Sequence, residues 1–296
     1  MYSLSVVIVS YRCWDRLDAC LKSIQIKQSL DFLEVIVVDN FSNDGRAEAF
    51  VAMHPTVQFI LQNTNGGFAQ ACNKGAAQAK GDWILFLNPD TILEPATLQP
   101  LLQKANSEPD WKLIAIQQLD EKGRDTYPFG LFLKWWNVWP PMRSLERLCK
   151  GNSNSKKAWS AVSVSFPDWL SGSFILMRYV DYKTIGGWDE RFWMYCEDMD
   201  LSKMAFQLGW KRVMYNELKC MHSHGGSSRI NPKVKAITKS AVIVSTFKYI
   251  QKHITIPGKW IAMATQFFII ALDLILLSPF SSTKRQMIKE LLKARS

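Results

Sequence analysis

Ser3-Leu-Ser-Val-Val-Ile-Val-Ser10 opens the chain as an apolar, β-branched run of strand length, and Trp14–Gln28 follows with Leu17, Leu21 and Ile24 at helical spacing. The alternation continues outward from there. Leu33–Val38 reads as a strand, Arg46–Met53 as a helix, Val57–Leu61 as a strand, Phe68–Lys80 as an Ala-rich helix and Trp83–Leu87 as a strand. Short apolar runs separated by helices predict βαβ units and a mostly parallel sheet buried on both faces. Ligands of such sheets bind beyond the carboxyl ends of the strands. Asp39 and Asp90 stand in two of the polar turns at those ends.

Further along, Pro95–Ser107 reads as a helix, Leu113–Gln118 as a strand, Trp169–Met177 as another apolar run and Glu197–Leu208 as a helix. Between Asp120 and Asp168 periodicity fails, and Lys134-Trp-Trp-Asn-Val-Trp-Pro-Pro141 and Gly151–Lys157 read as loops. Trp260–Leu277 is a run of eighteen residues with one charge, Asp273. At ~1.5 Å per residue it is about 27 Å long, at the lower limit for crossing a bilayer. Lys259, Gln266 and Asp273 recur every seven residues as a thin polar stripe, and a basic amphipathic stretch follows with Lys284, Arg285, Lys289, Lys293 and Arg295. A membrane-bound segment, interfacial or shallowly inserted, and a helix packed on protein are both open readings.

A chain of 296 residues with 48% hydrophobic content buries a full core, which excludes disorder and a small disulfide scaffold. The net charge of +10 is unevenly placed: residues 1–200 carry 20 basic and 23 acidic side chains, residues 201–296 carry 16 and 3. A local anionic partner fits this asymmetry, whereas a nucleic-acid-coating surface does not. No acid lies between Glu217 and Asp273, where eight Lys and Arg residues do, and each one near an anionic leaflet contributes on the order of 1 kcal/mol. The six cysteines show no C-x-x-C pair, as expected of free thiols in a reducing compartment. The first residues read as a strand rather than a targeting peptide.

Chemistry concentrates in a few places. Asn88-Pro89-Asp90 closes a buried strand, where a carboxylate suits a hard divalent cation bridging phosphates, or starts a turn and caps a helix. Asn63–Ala69, with Asn65, Gly66, Gly67 and Phe68, is a plain turn or a place where backbone approaches an anionic ligand at a helix start. Trp188-Asp-Glu-Arg191 and Glu197-Asp-Met-Asp200 set five acids among Phe192, Trp193 and Tyr195. Acids in an aromatic setting can be poised as a general base or bind sugar hydroxyls; a solvated helix start is the plainer alternative. His222 could complete a metal site begun by Asp90.

In order, Ser5–Tyr11, Val37–Asn40 with Ser42 and Asp44-Gly45, Asn65–Ala69, Leu87–Thr91, Gly187–Phe192, Tyr195–Leu201 and His222 resemble the family 2 inverting glycosyltransferases, within them the bacterial rhamnosyltransferase-like branch, over roughly residues 3–250. The resemblance implies a GT-A fold: a Rossmann-like, mostly parallel mixed α/β sheet flanked by helices. It implies a catalytic domain over 1–225, with a nucleotide-sugar half to about 118 and an acceptor half after it, and a helical membrane-associating extension over 226–296. Asp39 would bind the nucleotide base, with Ser10, Tyr11 and Asn65–Phe68 around it. Asp90, with His222, would hold Mg²⁺ or Mn²⁺; Asn88 stands where the family's D-x-D motif begins with Asp. Asp198 would be the catalytic base. Glu197, Asp189 and Trp188 would orient the acceptor beside Gly172 and Ser173, and Arg229 would partner phosphates. The implied reaction transfers a sugar, L-rhamnose from dTDP-rhamnose being the leading choice, to a polyprenyl-diphosphate-linked saccharide of bacterial surface polysaccharide (O-antigen type). Its place would be the cytoplasmic face of the inner membrane, reached through residues 260–296. The alternatives are another UDP or dTDP sugar, or an inactive membrane-bound scaffold. A nucleotidyltransferase would carry a glycine-rich signature with a basic residue near its N-terminus, and none is present.

Overall fold

The computed structural model describes residues 3–25, 32–139, 141–142, 145–146, 156–223 and 232–293. Strands β1 (Ser3–Ser10), β2 (Phe32–Asp39), β3 (Gln58–Leu61) and β4 (Trp83–Leu87) alternate with helices α1 (Trp14–Gln25), α2 (Ala47–Met53) and α3 (Phe68–Ala76). There follow β5 (Thr91–Leu93), α4 (Leu98–Ser107), β6 (Trp111–Leu119), β7 (Asp125–Thr126), β8 (Phe129–Gly130), α5 (Lys156–Ser160), β9 (Val164–Ser165), β10 (Trp169–Leu170), β11 (Phe174–Arg178), α6 (Tyr179–Ile185), α7 (Glu197–Gln207) and β12 (Lys211–His222). The chain ends in α8 (Pro232–His253), α9 (Gly258–Leu277) and α10 (Ser282–Lys293).

The main sheet runs β3-β2-β1-β4-β11-β6-β12-β5. β1 to β4 are mutually parallel, with Ser10 level with Asp39 and Asp39 with Leu61. β11 is antiparallel to both β4 and β6, and β12 is parallel to β6. The carboxyl ends of β1, β2, β4, β6 and β12 therefore share one edge with the amino end of β11. Every residue of β4 is buried because helices cover both faces. Leu85 and Leu87 pack with Leu17, Leu21 and Leu101 on the α1–α4 side, while Ile84 and Phe86 pack with Cys72, Tyr182 and Leu201 on the other. This is the period-two partition of a strand.

Three elements differ from the sequence expectation. Trp169–Met177 is not one strand. Ser171-Gly-Ser173 interrupts it, so β10 pairs with β8 while β11 joins the main sheet. A Cβ at Gly172 would stand 3.2 Å from Phe68 and 3.5 Å from Trp188, so a side chain there would press on the Phe68 ring. The helix expected from Pro95 starts at Leu98, after a turn in which Ala96 has φ +60° and Thr97 N–H donates to Glu94 O. Lys156 and Lys157, expected in a loop, instead begin helix α5.

α8 lies within the helical extension expected over 226–296, and it closes over the acid-rich segment. Asp200 of α7 is wholly buried and sits 2.7 Å from Lys252 Nζ and 2.6 Å from His253 Nε2. Lys252 also reaches Asp189 at 2.7 Å, Lys248 donates to Arg191 O, and Ser245 Oγ donates to Met194 O at 2.9 Å. Part of the positive charge of the last third thus holds α8 to the acids of residues 189–200. The boundary expected at 225/226 falls outside the described residues. Because a buried carboxylate deprived of its cation keeps the desolvation cost without the Coulombic return, Lys252→Met should destabilise the protein by about 3 kcal/mol in denaturant unfolding, and Lys252→Arg by clearly less.

Candidate active site

At the end of β2, Asp39 accepts the Ser42 backbone N–H at 2.9 Å and the Ser42 hydroxyl. Burial pushes its carboxyl up from the ordinary range, against the opposing pull of those two donors. Arg12 braces the turn, its backbone N–H donating to Ser42 Oγ and its Nε to Ser42 O, both at 2.8 Å. Ser10 is buried with its hydroxyl 3.4 Å from Cys13 Sγ, and the Arg12 guanidinium lies 5.4 Å from the Tyr11 ring centroid. Asn40 Oδ1 accepts from Gly66 N–H and Gln62 Nε2, each at 3.1 Å, and so ties this turn to the Asn65–Phe68 loop.

That loop is joined in turn to the acid-rich segment. Phe68 N–H donates to Trp193 O at 2.9 Å, and Trp193 Nε1 donates to Asn65 O at 3.2 Å. Gly67 has φ +88°, and a Cβ on it would fall 2.1 Å from Trp193 O, so this contact demands glycine.

Asn88, Asp90 and His222 converge beyond β4 and β12. His222 Nε2 is 3.1 Å from Asp90 Oδ1 and 3.3 Å from Asn88 Nδ2, while His222 Nδ1 is 2.8 Å from Gln118 Oε1. With Nδ1–H donating to the Gln118 carbonyl, Nε2 is turned towards Asp90. Such an imidazole is oriented as a metal ligand. Among the described residues no group of three or more His, Cys, Asp or Glu converges as a metal site. The protein's share is thus one carboxylate and one imidazole, which fits a cation completed by phosphate oxygens. Arg16 stands beside them, its Nη1 2.7 Å from Ser223 O and 3.5 Å from Asp90 Oδ2.

A short chain of contacts leads from here to the acids. Asn88 N–H donates to Ser173 O at 2.9 Å, Gln118 Nε2 donates to Ser173 Oγ at 2.8 Å, and the adjacent Gly172 N–H donates to Asp198 Oδ2 at 3.2 Å. Asp198 Oδ1 accepts Met199 N–H at 2.8 Å. Tyr195 and Cys196, with φ +67° and +63°, hold α7 in a strained entry of the kind that clusters at functional sites. Burial raises the Asp198 carboxyl, against the pull of Gly172 and Met199. Glu197 is buried, its Oε2 without a hydrogen-bond partner among the described residues. Burial first, then the Asp198 charge, push its carboxyl well above the usual value.

The remaining acceptor-side residues are differently placed. Burial pushes Asp189 up, but hydrogen bonds from Arg191 and Lys252 outweigh it and hold the carboxyl below its usual range. Both Asp189 oxygens are engaged by Arg191. Trp188 is buried edge-on to Phe68 and Phe86, with centroids 5.5 and 5.2 Å away. Arg229 lies outside the described residues. Sequence reasoning missed Gln118, Arg16, Lys252 and Asn73. Asn73 accepts from Trp188 N–H at 3.0 Å and Tyr182 OH at 2.6 Å, and donates to Trp188 O and Glu190 Oε1, both at 2.9 Å. Gln118 and Asn73 have no local signal, since each is one of several polar residues in its element and its partners come from distant parts of the chain.

Residues 5–160 match the model of the glycosyl transferase family 2 domain. The chain belongs to that family. It is 26% identical over 255 residues to the N-acetylglucosaminyl-diphospho-decaprenol L-rhamnosyltransferase of Mycobacterium tuberculosis, covering 77% of this chain and 78% of that protein. To the rhamnosyltransferase WbbL of Escherichia coli K12 it is 25% identical over 221 residues, covering 71% and 79%. Among solved structures, the mannosyltransferase PcManGT of Pyrobaculum calidifontis in complex with GDP-Man and Mn²⁺ superposes with a TM-score of 0.56 at 15% identity, covering 100% of this chain and 81% of that one. GalNAc-T7 with UDP, GalNAc and Mn²⁺ gives a TM-score of 0.59 at 16% identity, covering 85% of this chain and 51% of that structure. These likenesses show the GT-A fold, and this family member is a glycosyltransferase.

The buried Glu197 gives a stability test. Its folded-state proton affinity exceeds the unfolded one, so folding is opposed only above the ordinary carboxylate range, increasingly as pH rises towards the folded value. Glu197→Gln should therefore be more stable than the parent at pH 8, with the difference vanishing near pH 4, in urea unfolding at the two pH values.

Proposed function

We propose that this family member is a metal-dependent, inverting transferase of a nucleotide-activated sugar, with L-rhamnose from dTDP-L-rhamnose as donor group. Its acceptor is a polyprenyl-diphosphate-linked saccharide of bacterial surface polysaccharide of the O-antigen type. The observation that carries the reading is the continuous path Asp90–His222–Gln118–Ser173–Gly172–Asp198, which sets a diphosphate-binding end and a base at two ends of one strand break. The relatives named for L-rhamnosyl transfer, one of them to a decaprenol-diphosphate acceptor, support the choice of donor sugar and acceptor class.

Asp39 and the Asn65–Phe68 backbone receive the nucleoside, and Asp90 and His222 would hold a divalent cation, Mg²⁺ or Mn²⁺. When bound, that cation supplies charge neutralisation to the nucleoside diphosphate as it departs. Asn88 adds an amide in place of a second carboxylate, and Arg16 adds fixed positive charge next to Asp90. On the other side Asp198, fixed by the Gly172 and Met199 N–H groups, accepts the proton of the attacking acceptor hydroxyl. A single displacement of this kind inverts the anomeric centre and needs no nucleophile from the protein. Glu197 and Trp188 shape the acceptor pocket. Asp189, paired with Arg191 and Lys252, orients it by holding α8 and the 189–194 segment in place. The enzyme works at the cytoplasmic face of the inner membrane, where its lipid-linked acceptor lies, attached through residues 260–296 to an anionic leaflet.

Asp198→Asn should bind the donor nucleotide sugar as the parent does in calorimetry but transfer on the order of 10²–10⁴-fold more slowly. Near-normal turnover would remove Asp198 from the role. The raised Asp198 carboxyl also places the acid limb of the kcat profile above the ordinary carboxylate range, because the base form is lost as pH falls through that raised value. Gln118→Leu, which frees the His222 ring, should weaken Mn²⁺ binding roughly 10–100-fold in a titration followed by electron paramagnetic resonance. Unchanged Mn²⁺ affinity contradicts the assigned ligand pair.

A further inference from the structure

α9 is amphipathic the wrong way round for a helix in water. Its exposed residues Trp260, Ile261, Ala264, Phe267, Phe268, Leu272 and Ile275 recur at three- and four-residue steps and carry no charge. Its one acid, Asp273, turns towards α10 and pairs with Lys284. A soluble helix buries the apolar stripe and exposes the polar one. Within Gly258–Leu277 an apolar stretch of eighteen residues reaches a mean hydropathy of 2.1, and only 6% of it is buried.

Both ends of α9 are nonetheless tied to the catalytic side. At its start, a Cβ on Gly258 would come within 2.7 Å of Trp135, and Ala262 shares one cluster with Val138, Ile250 and Ile254. Beyond its end, α10 folds back so that Met287 is buried and its carbonyl accepts from Ser240 Oγ at 3.4 Å, midway along α8. A helix crossing a bilayer would place residues 278–281 on the far side, about 30 Å away. Here they return to α8.

The rim chooses the occupant. Trp136, Trp139 and Trp260 are 43%, 47% and 63% exposed around the start of α9, and exposed Arg285 and Lys289 flank its other end. Tryptophans and cations bordering an apolar face match the headgroup layer of an anionic membrane, where amphipathic rings and lysine or arginine anchor. We propose that α9 lies in the plane of an anionic lipid surface rather than across it, with Trp136, Trp139 and Trp260 as its interfacial anchor. This deepens the membrane attachment in the proposed function and rests on it. Because α8 bridges this face to Asp189 and Asp200, membrane contact and the acid-rich segment form one unit.

The full chain carrying Ser281→Cys, added to sealed phosphatidylcholine–phosphatidylglycerol vesicles, should float with them and be labelled at the introduced thiol by an impermeant maleimide from outside, as read by peptide mapping. Flotation with that thiol labelled only after detergent means that α9 spans, which overturns this inference and leaves the membrane reading standing. No flotation of the parent chain removes the membrane reading itself. No flotation together with a solution dimer that Phe267→Ser/Phe268→Ser dissolves assigns the face to a second copy and also overturns the proposal. Trp136→Ala/Trp139→Ala/Trp260→Ala should lower vesicle affinity by about tenfold while transfer to a water-soluble acceptor is unchanged. Unaltered vesicle affinity refutes the anchor.

Discussion

The insertion of β11, antiparallel, between β4 and β6 is the constraint on which the rest of this protein depends. Parallel strands alone would bring only carboxyl ends to the ligand edge. Reversing one strand brings an amino end there as well, and with it the Ser171-Gly-Ser173 break. Backbone pairing then leaves Asn88 N–H bonded to Ser173 O at 2.9 Å, so the donor and acceptor halves meet through the main chain rather than through mobile side chains. In the proposed mechanism the groups on the two sides of the anomeric carbon are then positioned by sheet register.

The acids around this junction divide by environment. Glu197 and Asp198 have burial against them and few donors, and both resist ionisation. Asp189 and Asp200, a few residues away, are matched by Arg191, Lys252 and His253. In the proposed mechanism the first pair handles the proton, while the second is engaged in ion pairs, although both arise from one acid-rich stretch. Arg191 comes from the same segment, whereas Lys252 and His253 come from α8, fifty residues later in the chain.

The nucleotide half was legible because its elements announce themselves locally. β1, β2 and β4 are unbroken apolar runs, and α1 and α3 keep helical spacing between them. Asp39 and Asp90 could be placed at strand ends from periodicity alone. Asp198, Asn88 and His222 were singled out through their motifs, and the structure brings His222 beside Asp90. What stayed hidden depends on long-range pairing. Nothing near Gln118 says that it faces His222 across two strands, and nothing near Lys252 says that it answers Asp200. α8 mixes apolar and basic residues all round, so no single face signals it. The stretch around Gly172 reads as one strand because apolar residues stand on both sides of Ser171-Gly-Ser173, and the break shows only in the pairing of β10 with β8 and of β11 with β4. Part of the basic tail, read from the sequence as an address on a membrane, is instead taken up by ion pairing with Asp189 and Asp200.

The central claim is a single in-line displacement, with Asp198 on one side of the sugar and the diphosphate site on the other. Proton NMR of the first transferred sugar, taken from whichever nucleotide donor the purified enzyme accepts, tests it most directly. The product should carry an anomeric configuration opposite to that of the donor. Retention of the donor's configuration would contradict the claim, since a retained centre requires a second displacement or a front-side path that this site does not provide for.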